Sequence, residues 1–297
     1  MTNETANPLH ASCYADEACH ESVTILENEQ VARSTFRARF ECPTMAERIT
    51  PGQFIMVRLA GLDDPMLGRP LALYDVIPDS DGRPNAIDVV YLVGGKMTTR
   101  FAQLQPGQQL EIWGPLGNGF ASSIGECGNL IMVAGGIGQT PFLALGKEQL
   151  HKQQYGYPPR TVPATPKVTL CYGARTADFL AGVDDFRNAG IDLRISTDDG
   201  SYGHHGLVTD LLSAAIEESE STPQVVCCGP EPMMEAVAKL TAAKNVPCQV
   251  SLETPMACGI GICFTCVAKV IDESGEWDYK RTCVEGPVFD AEKIVWE

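Results

Sequence analysis

At 297 residues the chain is about twice the ~150 residues of a common domain, so two packed modules with a small appendage are expected. Hydrophobic residues make up 44% and charged residues 20%, and no apolar run approaches the ~18 residues that cross a bilayer, so a soluble protein is expected. A formal net charge of −16 repels phosphate backbones and anionic lipid, which argues against nucleic-acid and membrane-surface partners.

Residues 1–22, MTNETANPLHASCYADEACHES, lack a basic stretch followed by an apolar one; they read as a disordered extension with no signal peptide. Cys13, Cys19 and His20 within it read as exposed groups rather than a metal site. Residues 23–121 alternate β-branched or aromatic residues with polar ones, as in STFRARFECP, QFIMVRL and IDVVYLV, between Pro and Gly turns. Short strands at this spacing close most naturally into an antiparallel β-barrel, which removes exposed sheet edges. No long amphipathic helix is expected before Ser122.

Residues 122–248 change pattern: an apolar strand (LIMVA), a glycine turn (GGIGQTP) and a helical stretch (FLALGKEQLHKQ). Further strands are expected at KVTLCYG, IDLRIST and QVVCCGP, and further helices at ADFLAGVDDFRNA, LVTDLLSAAIEES and PMMEAVAKLTAA. That alternation predicts a doubly wound α/β domain with a parallel sheet covered on both faces. The proline-rich YGYPPRTVPATP reads as a surface loop.

Residues 249–297 are too few to bury a sufficient core alone, and they carry Cys258, Cys263, Cys266 and Cys283. The spacing is C-x4-C-x2-C-x16-C, and its first three members match the run used by plant-type [2Fe-2S] proteins. Gly259 and Gly261 let the backbone curl tightly around inorganic sulfide and turn N–H groups toward it. A four-cysteine zinc site is the competing metal reading, although zinc sites usually pair two short knuckles. The twelve cysteines of this long chain suit a reducing cytosol, hence a cytoplasmic location. Cys42, Cys127, Cys171, Cys227 and Cys248 read as small apolar fillers.

Gly135, Gly136 and Gly138, with Gln139 and Thr140, lie between a strand and a helix, where main-chain N–H groups can meet a pyrophosphate. Cys228, Gly229 and Pro230 end another strand, the usual ligand edge of a parallel sheet, which puts Cys228 on the nicotinamide side. Asp198 and Asp199 end IDLRIST; they either accept from an adenosine ribose, favouring NAD over NADP, or cap the turn DDGSYG. Arg175 is either a pyrophosphate contact or a solvated charge. Arg69, Pro70, Leu71 and Ala72 on one strand, with Gly95, Lys96, Met97 and Thr98, suit a flavin diphosphate cradle or an ordinary exposed strand.

With PGQFIMVRL, RPLALYD, GPLGNGF, VAGGIGQTPFLAL, TDDGSYGHHGLVTDLL, CCGPEPMMEAV, MACGIGICFTCV and YKRTCVEGPVF, the chain from Val23 onward resembles the iron-sulfur flavoprotein electron-transfer subunits of class 1B dihydroorotate dehydrogenase, in the ferredoxin-reductase superfamily. The resemblance implies FAD in the barrel, on Arg69, Pro70, Leu71, Ala72, Val90, Tyr91, Leu92, Met97 and Thr98, and NAD as exchanging substrate on the doubly wound domain. It implies a [2Fe-2S] cluster on the four cysteines. The family usually has Ser at Ala72 and Gly at Met97; Met97 is expected to crowd the phosphate loop.

Nicotinamide exchanges electrons in pairs and a [2Fe-2S] cluster singly, so a flavin between them is needed to split the pair. The chain shows no acid–base dyad or nucleophile of its own. The resemblance implies that the outside site is the FMN of a separate catalytic subunit oxidising dihydroorotate to orotate in pyrimidine biosynthesis, in a heterotetramer of two catalytic and two electron-transfer subunits. Alternatives are an NADH-dependent reductase component for another redox partner and a non-catalytic iron-sulfur regulator.

Overall fold

The computed structural model describes residue 15 and residues 18–125, 128–163 and 165–296. Most of the 1–22 extension, with Cys13, lies outside the described residues, as does Cys127.

The alternating segment forms β1 (Cys19–Ala32), β2 (Thr35–Glu41), α1 (Pro43–Arg48), β3 (Phe54–Leu59), β4 (Arg69–Ala72), β5 (Asp75–Pro78), β6 (Pro84–Leu92), α2 (Lys96–Phe101) and β7 (Gln109–Leu116). The strands make one antiparallel sheet in the order β4-β3-β7-β1-β2-β6-β5, curled so that β4 comes against β6. Its inward residues, among them Ile25, Phe40, Ile55, Val57, Ile87, Val89 and Ile112, form a closed core, and both helices have only six residues. The strand rhythm thus folds as expected, except at its start. Cys19 to Ser22 pair with Gly114 to Glu111 on β7, because unpaired edge groups there take a partner as soon as one is in register.

The second domain contains β8 (Asn129–Gly135), α3 (Phe142–Gln149), β9 (Lys167–Ala174), α4 (Val183–Asn188), β10 (Asp192–Thr197), β11 (His204–His205), α5 (Val208–Glu217), β12 (Gln224–Cys228), α6 (Glu231–Ala243) and β13 (Cys248–Ser251). β8 is buried at every residue, as a strand covered on both faces must be. Strands β10, β9, β8, β12 and β13 run parallel. The stretch ADFLAGVDDFRNA does not form one helix. Gly182, at φ 71°, separates a short 3-10 turn at Ala177–Phe179 from α4.

The C-terminal residues form a hairpin, β14 (Val267–Ile271) with β15 (Trp277–Arg281), and a last strand, β16 (Val288–Asp290). β16 pairs antiparallel with β13 and becomes the edge of the second domain's sheet. A division after residue 248 therefore cuts through β13; continuous backbone pairing joins the appendage to the sheet. On its other side, Met256, Cys266, Cys283 and Val284 pack with Phe54, Met56 and Leu116 of the barrel. Cys42, Cys171, Cys227 and Cys248 are buried in apolar surroundings, as fillers.

A polar latch crosses between the two large domains. The buried carboxylate of Asp75 on β5 accepts from Lys147 Nζ on α3 and from the Tyr155 hydroxyl at 2.8 Å. Tyr74 donates to Asp185 at 2.7 Å. Removing Asp75 strands a half-buried ammonium and a buried hydroxyl. Asp75→Ala is expected to cost about 2–3 kcal/mol, at the low end for a broken buried pair because Lys147 keeps some solvent. A thermal unfolding midpoint lowered by several degrees in calorimetry would show it.

Candidate functional site

A cavity of about 690 Å³ opens where the barrel, the parallel sheet and the C-terminal segment meet. From the barrel it is lined by Arg69, Pro70, Leu71 and Ala72, by Val90, Tyr91 and Leu92, and by Gly94, Gly95 and Thr98. From the parallel-sheet domain come Ile137, Thr140, Pro141 and Cys228, and from the C-terminal segment Ser251 to Ala257, Thr265 and Pro287. Three stretches distant in sequence thus converge on one space of the size and apolar character of a cofactor site.

The barrel wall presents main chain. The Tyr91 side chain turns inward, stacking on Phe101 at 4.3 Å between ring centroids and donating to Asn28 at 2.9 Å, so alternation along β6 leaves Val90 and Leu92 on the opposite face. Thr98 Oγ1 accepts from the N–H groups of Gly94 (3.1 Å) and Gly95 (3.2 Å), which closes the turn ahead of α2. Arg69 Nη1 donates to the Gly68 carbonyl at 2.9 Å. Met97 does not crowd this loop. It is fully buried in the barrel core, because one helical residue before Thr98 faces the sheet.

The two loops of the parallel sheet are pressed together. A Cβ on Gly135 would lie 2.5 Å from Met233 Sδ and 2.8 Å from Pro230, and one on Gly138 would collide with the Cys228 carbonyl. These glycines serve loop-to-loop contact, whereas Gly136, at φ 55° with open space beside it, makes the turn itself. Thr140 and Cys228 reach the cavity, but the Gln139 side chain is fully buried beneath the turn. Asp199 accepts from the N–H (3.0 Å) and hydroxyl (2.6 Å) of Ser201, the turn-capping arrangement, which holds its carboxyl below the usual range. Asp198 and Arg175 are exposed at the ends of β10 and β9.

The four C-terminal cysteines fall into two pairs, Cys258 with Cys263 and Cys266 with Cys283. Gly259 (φ 73°), Gly261 (φ 81°) and Phe264 (φ 56°) take left-handed conformations that wind the loop around them. A Cβ on Gly259 would press 2.6 Å from Met56 Cγ of the barrel. The Cys258 carbonyl accepts from Trp113 Nε1 at 2.8 Å, and the Cys266 carbonyl from Thr282 N at 2.9 Å. Burial opposes ionisation of Cys263, but the Thr265 hydroxyl, 3.1 Å from its Sγ, and Cys258 outweigh it and bring the thiol to about 6. A hydrogen bond from Cys283 likewise brings Cys266 to about 6 against burial, and the same bond holds Cys283 up. Four thiols that approach one another two by two suit a centre of two metal ions taking two thiolates each. Cys263 is exposed, flanked by exposed Ile262 and Phe264.

Glu253 was not singled out by its sequence. It follows β13, at the same strand-end edge as Cys228, and that position was the available signal.

Comparison with known proteins matches three stretches of the chain. The iron-sulfur cluster binding domain of dihydroorotate dehydrogenase B matches residues 253–295, an oxidoreductase FAD-binding domain residues 22–120, and an oxidoreductase NAD-binding domain residues 132–239. The electron transfer subunit of dihydroorotate dehydrogenase B (NAD(+)) from Bacillus caldolyticus is 35% identical over 276 residues, 93% of this chain and 98% of that protein. Its counterpart from Desulforamulus reducens is 33% identical, over 92% and 97%. Among solved structures, the NADH-dependent reduced ferredoxin-NADP oxidoreductase of flavin-based electron bifurcation superposes with TM-score 0.76 at 28% identity, over 92% of this chain and 90% of that one. The ferredoxin reductase of carbazole 1,9a-dioxygenase (TM-score 0.63, 17% identity, 77% and 67% covered) shares the fold. Gly138→Ala, which must push the two glycine loops apart, is expected to weaken NADH binding at least about tenfold while flavin content is retained, as read by spectral titration.

Proposed function

The chain belongs to the electron-transfer subunits of NAD(+)-dependent dihydroorotate dehydrogenase B, and we propose that its central cavity is where electron pairs from a nicotinamide and single electrons from the C-terminal cysteines meet on one flavin. The observation that carries this reading is the convergence of barrel, strand-end loops and cysteine segment on one cavity.

The flavin supplies the conversion between paired and single electrons. Its diphosphate fits Arg69 and the turn at Gly94, Gly95 and Thr98, where glycines without neighbours leave room for phosphate. Its ring fits the main chain of Pro70 to Ala72 and Val90 to Leu92. Ala72 offers no hydroxyl to the ring, so binding rests on backbone groups. The nicotinamide enters past Ile137, Thr140 and Cys228, with Gly135, Gly136, Gly138, Gly229 and Pro230 shaping the approach and Asp198 disposed toward the ribose. Apolar walls from Leu252, Pro255 and Met256 exclude water from the meeting point. Cys258, Cys263, Cys266 and Cys283 would hold the [2Fe-2S] cluster, which would supply single-electron transfer.

The name of the relatives, an electron transfer subunit, implies a catalytic partner. We assign the partner's docking face to the exposed Cys263 edge with Ile262 and Phe264: electrons leave where the cysteine loop reaches the surface, and exposed apolar side chains there await cover. The partner is an FMN-bearing subunit that oxidises dihydroorotate, in a two-plus-two assembly. The 28% likeness to a bifurcating oxidoreductase favours a second reading, in which the same wiring serves another acceptor.

The purified holoprotein is expected to reduce artificial acceptors with NADH and to show no dihydroorotate oxidation alone; mixing it with the catalytic subunit should yield dihydroorotate-dependent NAD+ reduction. Failure of the mixture with an active, loaded chain would favour the second reading. Cys266→Ser should abolish transfer to the partner while NADH still bleaches bound FAD in stopped-flow absorbance.

A further inference from the structure

An iron-sulfur centre held by thiolates gains one negative charge on reduction, and part of that charge falls on the cysteine sulfurs. A hydrogen-bond donor aimed at such a sulfur therefore stabilises the reduced form more than the oxidised one and raises the reduction potential. A donor aimed at a neighbouring carbonyl acts on the shape of the loop instead.

Three side chains brace the main chain of the cysteine loop. Trp113 Nε1 donates to the Cys258 carbonyl at 2.8 Å, Arg281 Nη1 to the Gly261 carbonyl at 3.2 Å and Thr282 Oγ1 to the Cys266 carbonyl at 3.0 Å. Thr265 differs. Its Oγ1 donates to the Cys263 sulfur itself at 3.1 Å, and its main-chain N–H faces the same sulfur.

The local backbone explains the contact. Phe264, at φ 56°, folds the chain back so that Thr265 returns toward the residue two positions before it. A β-branched side chain has few χ1 choices, so the direction of the hydroxyl is set at small entropic cost. Thr265 also lines the central cavity, together with Arg69 to Ala72 of the barrel, while Cys263 stands at the exposed edge between Ile262 and Phe264. One residue thus borders the space that fits the flavin and touches the exposed cysteine.

We propose that Thr265 is the positioning residue that sets the reduction potential of the cluster, through the bond from its hydroxyl to the Cys263 sulfur. The inference rests on the flavin and cluster reading above. In the step it governs, one electron leaves the reduced flavin and enters the cluster; no bond is made or broken at Thr265, and the hydroxyl proton stays on Oγ1. The bond draws the flavin's single electrons toward the surface, and its loss shifts the balance toward the flavin and NAD+.

The test uses the holoprotein with FAD and cluster bound, and reads the cluster midpoint by redox titration followed by electron paramagnetic resonance. Thr265→Val keeps the branched shape and removes the hydroxyl, whereas Thr265→Ser keeps the hydroxyl. Thr265→Val should lower the midpoint by up to about 59 mV, a tenfold loss in the one-electron reduction equilibrium. That size lies near the lower end for a hydrogen bond to a charged group, because Thr265 is exposed and water competes. Thr265→Ser should restore the midpoint. The reduced-state signal should also lose an exchangeable-proton coupling in Thr265→Val that Thr265→Ser retains. An unchanged or raised midpoint in Thr265→Val, an equal lowering in Thr265→Ser, or a coupling that survives in Thr265→Val overturns the proposal. If Thr265→Val does not load its cluster, Thr265→Ala removes the same hydroxyl with less bulk and is judged by the same outcomes; failure of both to load makes the hydroxyl a requirement for assembly and overturns the tuning role. A wild-type protein that gives no [2Fe-2S] signal on reduction would instead overturn the reading beneath.

Discussion

The arrangement depends on where the last strand pairs. β16 hydrogen-bonds to β13 at the edge of the parallel sheet, with Val250 opposite Phe289 and Ser251 opposite Val288. This pairing brings Pro287 back into the cavity wall, next to Leu252, whose N–H donates to the Pro287 carbonyl at 2.9 Å. Asn118, just after β7 of the barrel, bridges the same stretch: its Nδ2 donates to the Val288 carbonyl at 2.9 Å and its Oδ1 accepts from Val288 N at 3.2 Å. One short strand therefore ties sheet, barrel and cysteine loop together. Buried backbone groups must be paired, which makes this junction resistant to displacement.

That junction explains how a segment too small for its own core stays ordered. Its apolar residues do not face one another alone; Met256, Cys266, Cys283 and Val284 borrow Phe54, Met56 and Leu116 from the barrel. Trp113 adds a hydrogen bond to the Cys258 carbonyl. The cysteine loop is already shaped by left-handed glycines, so few of its residues would need ordering if a metal were bound. Cys263 is exposed and Cys283 buried, so the cysteines span from the surface to the interior of the segment.

The large domains are held by different physics. Apolar contact runs from Tyr74 and Val90 on the barrel to Phe142 and Phe186 on the sheet domain, while Asp75, Lys147 and Tyr155 supply a directional latch. Apolar burial gives adhesion without angle. The hydrogen-bonded carboxylate fixes orientation, because its donors come from one helix and one loop at set directions. A site built from both domains needs that orientation, since a shift of about 1 Å in reacting groups is costly.

Short-range information was legible in the sequence. Alternation along STFRARFECP, apolar runs such as LIMVA, and the spacing of Cys258, Cys263 and Cys266 act within a few residues, so barrel strands, parallel strands and cluster loop were all readable. Other features depended on packing between remote segments. The orientation of Met97 was decided by which helix face met the barrel, and the break before α4 by the left-handed Gly182. The β13–β16 pairing, the approach of Cys283 to Cys266 and the approach of Glu253 to Cys228 join residues 17 to 41 positions apart. No local periodicity encodes such contacts. They follow from burial and hydrogen-bond satisfaction of the whole chain, which only the tertiary structure resolves.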